Sequence, residues 1–95
     1  MKELKSRIRE AVSRELSLKV RETEFTEYKE EDGTPVVRVD VWLSKENEKI
    51  GGDLYFRLIP LVANTVREAE IFDAFPLVKP HLARGQEINS KLLKT

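Results

Sequence analysis

Three stretches of the chain carry residues whose types and spacing could support chemistry, and the first is Gly51-Gly52-Asp53 with Lys49 just upstream. Paired glycines ahead of a helix can cradle a phosphate, because the free N–H groups and dipole at a helix N-terminus attract anions. An aspartate in the capping position would instead occupy those donors with its own carboxylate and repel a phosphate. The pattern therefore predicts a turn at the glycines and a helix that Asp53 caps, rather than a phosphate site.

The second stretch contains His81, the one histidine of the chain. Nucleophilic catalysis needs a base beside the nucleophile, normally a histidine, but His81 stands between Pro80 and Leu82 in a short apolar segment. Transition-metal sites need three or four His, Cys or carboxylate ligands, and the chain has no cysteine. We therefore expect a structural histidine, no metal and no cofactor.

The third group is acidic. The run Glu30-Glu31-Asp32 lacks the spacing of a calcium loop and is typical of a solvated turn. Asp40 is the one carboxylate embedded in an apolar strand pattern, and an ion pair with Arg38, Arg21 or another cation is its simplest explanation. No catalytic set emerges, so the sequence predicts that the protein is not an enzyme.

Any such residues must be positioned by a helix and a hairpin in the first half of the chain. One apolar stripe at helical spacing predicts a helix over residues 3–16: Leu4, Ile8, Ala11, Val12 and Leu16. An extended pattern follows over residues 18–28, with a change of phase near Arg21 and Glu22 that predicts a β-bulge. The alternating run of Val37, Val39, Val41 and Leu43 is the clearest strand signal.

The hairpin register follows from matching apolar residues on one face. A three-residue loop with Gly33 in the left-handed region pairs Phe25 with Val39 and Thr23 with Val41, whereas a two-residue turn mixes faces. The opposite face of the hairpin then carries Tyr28, Arg38, Asp40 and Trp42.

Two interpretations fit residues 53–70. A helical stripe runs through them, yet Pro60 would cost about 3 kcal/mol or more inside a helix, and residues 54–59 also have strand character. Because the stripe crosses the proline without changing phase, we predict a helix kinked at Pro60. The alternative order is helix, three strands, helix.

The remaining chain contains one short strand. Residues 75–82 predict an edge strand because of Pro76 and Pro80, and residues 84–95 a short helix, a frayed end or a docking tail. The predicted fold is therefore α+β in the order helix-strand-strand-helix-strand, with a small antiparallel or mixed three-stranded sheet and the helices on one face.

Length and composition predict a single domain over residues 1–95, because such a chain has too little material for a second core. The start has no apolar signal region, and no apolar run approaches the ~20 residues needed to span a bilayer. The absence of cysteine is compatible with a reducing compartment. We expect a soluble, cytoplasmic protein that does not bind membranes.

Charge is balanced overall but unevenly distributed. Residues 1–21 carry a net charge of +4, residues 22–53 of −6 and residues 54–95 of +2. Such polarity can steer a partner or a second copy. The leading hypothesis is a small non-catalytic interaction or accessory domain that self-associates or docks on a larger protein. Two groups would bind the partner, the aromatic face with Trp42, Tyr28 and Arg38 and the basic first helix with Lys5, Arg9 and Arg14.

RNA or ribosome binding through the basic first helix is the second hypothesis. The element order is similar to that of type II KH and BolA-like domains, but a KH domain clamps RNA with a Gly-x-x-Gly loop that this chain lacks. The alternative order is similar to that of double-stranded-RNA-binding domains, whose lysine cluster is also missing. With zero net charge there is no bulk attraction to phosphate, so RNA is possible but not favoured.

Overall fold

A computed structural model describes residues 2–44, 47 and 52–82 of the chain. The elements follow in the order α1 (Lys2–Leu16), β1 (Val20–Lys29), β2 (Pro35–Leu43), α2 (Gly52–Ala69) and β3 (Phe75–His81). This confirms the predicted α+β order helix-strand-strand-helix-strand. The alternative with a third strand at residues 54–59 is wrong, because those residues lie inside α2.

The hairpin has the predicted loop and register. Phe25 pairs with Val39 and Thr23 with Val41, and the register shifts between Val20 and Glu22, where the bulge was expected. Gly33 adopts φ 89°, the left-handed conformation that glycine reaches without steric cost. Val20 and Thr23 are three positions apart and would face opposite sides of a regular strand. The bulge between them shifts the alternation by one residue, so both side chains are buried in the core.

The helix α2 runs through Pro60 without interruption. Proline cannot donate to the carbonyl four residues earlier, which here belongs to Phe56. Both Pro60 and Phe56 are exposed, so water can satisfy that carbonyl, while Leu58, Val62 and Val66 on the other side are buried. The helix begins one residue before the predicted start, so Asp53 lies in the first turn and not in the capping position. In the first turn its negative charge still interacts favourably with the helix dipole.

The sheet has the order β1-β2-β3, with β1 and β2 antiparallel and β2 and β3 parallel. Both helices lie on one face and share a hydrophobic cluster with it. The members of that cluster with no exposed surface are Ile8, Val12, Val37, Val39, Val41, Leu43, Leu58 and Val62. The side chains on the other sheet face therefore take no part in this core.

Two of the predicted segments cannot be compared with the structure. Most of the polar loop before α2 and the tail at residues 84–95 lie outside the described residues. Of the two described helices, neither is both long and apolar enough to cross a membrane.

Candidate functional site

The side of the sheet that faces away from both helices forms the candidate site, and we call it the open sheet face. Strand residues alternate between faces, so the registers of the two strand pairs define its members. They stand in four rows across β1, β2 and β3: Glu22-Trp42-His81, Glu24-Asp40-Lys79, Thr26-Arg38-Leu77 and Tyr28-Val36-Phe75.

Asp40 is the centre of a polar cluster on this face. Its Oδ1 lies 2.6 Å from Nε2 of His81 and 3.1 Å from Nε of Arg38, and its side chain is only 10% exposed. Burial alone raises the pKa of Asp40, but hydrogen bonds from His81 and Arg38 and their positive charges outweigh it and hold the pKa below its usual value. Since an ionised carboxylate can only accept hydrogen bonds, Nε2 of His81 carries the hydrogen.

Trp42 is positioned by the same cluster. Its ring stacks on that of His81 with the ring centroids 4.7 Å apart and the ring planes 18° apart. The bond from His81 to Asp40 fixes the histidine ring, which in turn supports one side of the indole. Trp42 is thus a half-buried aromatic side chain held in one orientation on the surface.

The other end of the open sheet face is apolar. Tyr28 and Phe75 are 38% and 55% exposed on either side of the buried Val36. The guanidinium of Arg67 lies 5.7 Å from the ring centroid of Phe75. A cleft of about 610 Å³ adjoins Phe75 at the C-terminal end of α2 rather than Trp42. Among its polar lining residues, Thr34, Glu70 and Asp73 make none of the side-chain contacts with one another that order the cluster around Asp40, so it is weaker evidence of a site.

The two edges of the sheet are poorly suited to pairing with another strand. Pro76 and Pro80 remove two N–H donors from β3, and the carbonyl of Pro80 accepts a hydrogen bond from the hydroxyl of Tyr55 at 3.4 Å. The edge strand β1 carries five charged residues among its ten, a composition that discourages strand addition. Strand addition is therefore disfavoured at both edges of the sheet.

The predicted site residues fall into two separate groups. Trp42, Tyr28 and Arg38 share the open sheet face, as the hairpin register predicted. Lys5, Arg9 and Arg14 are exposed on α1, on the opposite side of the sheet. At 100° per residue, Arg14 lies about half a turn away from Lys5 around the helix axis, so the three cations do not form one continuous strip.

Sequence reasoning missed the contribution of β3 to this face. His81 was expected to be structural, and the structure places it between Asp40 and Trp42, 33% exposed. The alternation of Phe75, Leu77, Lys79 and His81 against the prolines did indicate which residues share a face. The partner strand and its register follow from the crossover through α2, which sequence periodicity does not determine.

The open sheet face presents an indole, a guanidinium and exposed aromatic rings. His81 contacts the carboxylate of Asp40 and the indole of Trp42. Among residues 2–44, 47 and 52–82, no group of three or more His, Cys, Asp or Glu side chains is placed to hold a metal ion. A fixed indole, a flanking guanidinium and exposed aromatic rings are the groups that anchor protein interfaces.

Comparison with known proteins gives no match: no family model, curated protein or solved structure is significantly similar to this chain. The open sheet face is therefore the feature from which a function can be inferred.

Proposed function

We propose that the protein is a small non-catalytic interaction domain that binds another protein chain through its open sheet face. The observation that supports this most directly is the ordering of Trp42. The indole is stacked on His81, His81 is held by the buried Asp40, and Arg38 completes the set. Pre-ordering an aromatic anchor lowers the entropy lost on binding, which is how rigid interface residues gain affinity.

The surroundings of the anchor fit the same function. Interfaces combine a central aromatic or Arg contact with a polar rim. On this face Trp42 and Arg38 lie on the central strand β2. The charged side chains of the two outer strands lie on either side of them, Glu22 and Glu24 on β1 and Lys79 on β3.

Affinity capture followed by direct binding tests this proposal. Proteins retained by the immobilised wild-type chain are identified by mass spectrometry and purified, and their affinities are measured by calorimetry. Trp42→Ala should weaken binding by about 2 kcal/mol, roughly thirtyfold, because it removes the central anchor. Phe56→Ala is the matched control, since Phe56 is an aromatic residue with 57% exposure on α2, away from the open sheet face. Equal binding by the Trp42 variant and the wild type would contradict the proposal.

A cleft beside α1 favours nucleic-acid binding as a second candidate function. It has a volume of about 400 Å³ and is lined in part by Arg9, Lys19 and Arg21, and none of the described residues that line it is acidic. Positive side chains in a cleft attract phosphates, and such binding weakens steeply as salt increases. A gel-shift titration with single-stranded and duplex RNA at two salt concentrations tests this. Binding that Arg9→Glu abolishes and Arg14→Glu leaves unchanged would support the cleft, whereas absence of binding at low salt would contradict it.

A further inference from the structure

We infer that the partner of the open sheet face is a second copy of this chain, related by a twofold axis that runs parallel to the strands. This inference rests on the proposed function and adds the identity of the partner. It comes from the distribution of charge across the rows of the face. On the β1 side stand the acidic side chains Glu22 and Glu24, and on the β3 side stand Lys79 and His81.

A twofold axis along the strands makes this face complementary to itself. Such an axis places β1 of one copy over β3 of the other and keeps each row opposite the same row. Glu24 then faces Lys79 of the second copy, and Glu22 faces its His81. Both Glu24 and Lys79 are exposed, and their long side chains can reach across the ~10 Å that separates packed sheets.

The same axis also brings the apolar row together. Tyr28 of one copy lies over Phe75 of the other, and Val36 lies over Val36. These rings are among the most exposed large apolar side chains of the described residues. Association would therefore cover apolar surface while it pairs opposite charges at both edges of the sheet.

The alternative face-to-face arrangement has its twofold axis across the strands. It places β1 over β1 with the rows reversed, which brings Glu22 and Glu24 of both copies onto the same side of the interface. That arrangement gathers the glutamates of both copies along one edge and both copies of Lys79 along the other, whereas the axis along the strands sets each glutamate against the basic edge of the other copy. On this axis Arg38 lies over Arg38 and Asp40 over Asp40, and each keeps its ion-pair partner within its own copy.

The area of the face sets the expected strength. Strands about 4.8 Å apart and rows about 7 Å apart give roughly 400 Å² for each copy, or about 800 Å² in total, which is below the ~1,200 Å² of stable specific interfaces and in the range of weak, transient contacts. We therefore expect a dimer that dissociates in the range of about 10 μM to 1 mM rather than a permanent one.

Sedimentation equilibrium of the purified chain over about 10 μM to 1 mM measures this association. Glu24→Lys and Lys79→Glu should each weaken dimerisation about tenfold or more, because each change enters the symmetric contact twice. The double variant E24K/K79E restores opposite charges and should return the dissociation constant to within about threefold of the wild type. Glu68→Lys, an exposed charge reversal on α2, is the matched control and should leave dimerisation unchanged. Circular dichroism confirms that each variant is folded.

The results separate the two proposals. A wild-type chain that stays monomeric, or a dimer that neither single reversal weakens, overturns the inference. A dimer strengthened by Glu24→Lys overturns the orientation, since that result requires β1 to face β1. A monomer that still binds another protein through Trp42 overturns the inference and leaves the proposed function standing. If neither self-association nor capture depends on Trp42, both are wrong.

Discussion

The two faces of β2 are built from the same strand by opposite means. On the inner face Val37, Val39, Val41 and Leu43 have no exposed surface and pack against the helices. On the outer face the alternating positions are Val36, Arg38, Asp40 and Trp42, of which Arg38 is exposed and Trp42 half-buried. The inner face is stabilised by removal of apolar surface from water, and the outer face by hydrogen bonds and ring stacking around one carboxylate.

This difference separates the residues that stabilise the fold from those of the proposed docking surface. Burial of the inner side chains is non-directional and contributes most of the folding free energy. The outer cluster contributes less, yet it fixes the direction of two rings and a guanidinium at the surface. A strand with one apolar side and one ordered polar side can therefore hold a docking surface rigid without using its core residues for binding.

Neighbouring residues of β2 test this contrast directly. Leu43→Ala removes a fully buried side chain and should lower the free energy of unfolding by about 2–5 kcal/mol. Trp42→Ala, one position away on the other face, should cost only about 1 kcal/mol, because the indole is partly exposed in the folded chain and stacks on one ring. Urea denaturation followed by circular dichroism measures both values.

The control for this pair is Phe56→Ala, which removes an exposed aromatic side chain that is not on the open sheet face. Its effect on unfolding should be within about 0.5 kcal/mol of zero. If Trp42→Ala destabilises the chain as much as Leu43→Ala, the outer face is part of the folding core and the contrast is wrong.

The response to acid should come in part from the outer face. The pKa of Asp40 is lower in the folded chain than in the unfolded one, so its contribution to stability is complete above the unfolded value of 3.8. That contribution is lost as the pH falls through the folded pKa. Asp40→Asn should therefore be less stable than the wild type by about 1–3 kcal/mol near pH 7, and this gap should narrow below about pH 4.

A set of denaturation curves from pH 7 to acid measures that gap. Asp32 also has a lowered pKa, because it accepts hydrogen bonds from Thr34 in the hairpin loop, and it remains in both proteins as a common background. Asp32→Asn is the matched control. The difference in unfolding free energy between wild type and Asp40→Asn could instead stay constant down to low pH. That result would mean that folding does not lower the pKa of Asp40, and it would contradict the hydrogen-bonded cluster described above.

The inner face was predictable from the sequence because its signals are local. Alternating valines define β2, and matching them to Thr23 and Phe25 selects one hairpin register out of two. The helical spacing of apolar residues across Pro60 also predicted α2 correctly, although proline is unfavourable inside a helix. The helix tolerates Pro60 because the hydrogen bond that it removes lies on the solvent side. In each case the period of the apolar residues carried enough information.

The outer face was only half predictable. Tyr28, Arg38 and Trp42 follow from the hairpin register, but their supports on β3 do not. β3 reaches β2 through a crossover that includes α2, and periodicity within a strand does not specify the register of a distant partner. The neighbours of His81 therefore could not be predicted from the sequence, and its stacking on Trp42 is visible only in the three-dimensional structure.

The smallest expected effect concerns that stack. His81→Ala removes one side of the support for the indole and one hydrogen bond to Asp40, and should cost about 0.5–1.5 kcal/mol in unfolding free energy. Its clearer result should be optical. Trp42 is the single tryptophan, so its fluorescence reports this site alone, and acrylamide quenching should increase when the ring of His81 no longer covers one face. Lys79→Ala, two residues earlier on the same face of β3, is the control and should leave quenching unchanged. Equal quenching in wild type and His81→Ala would mean that the histidine does not shield the indole, and the open sheet face would then lack its fixed anchor.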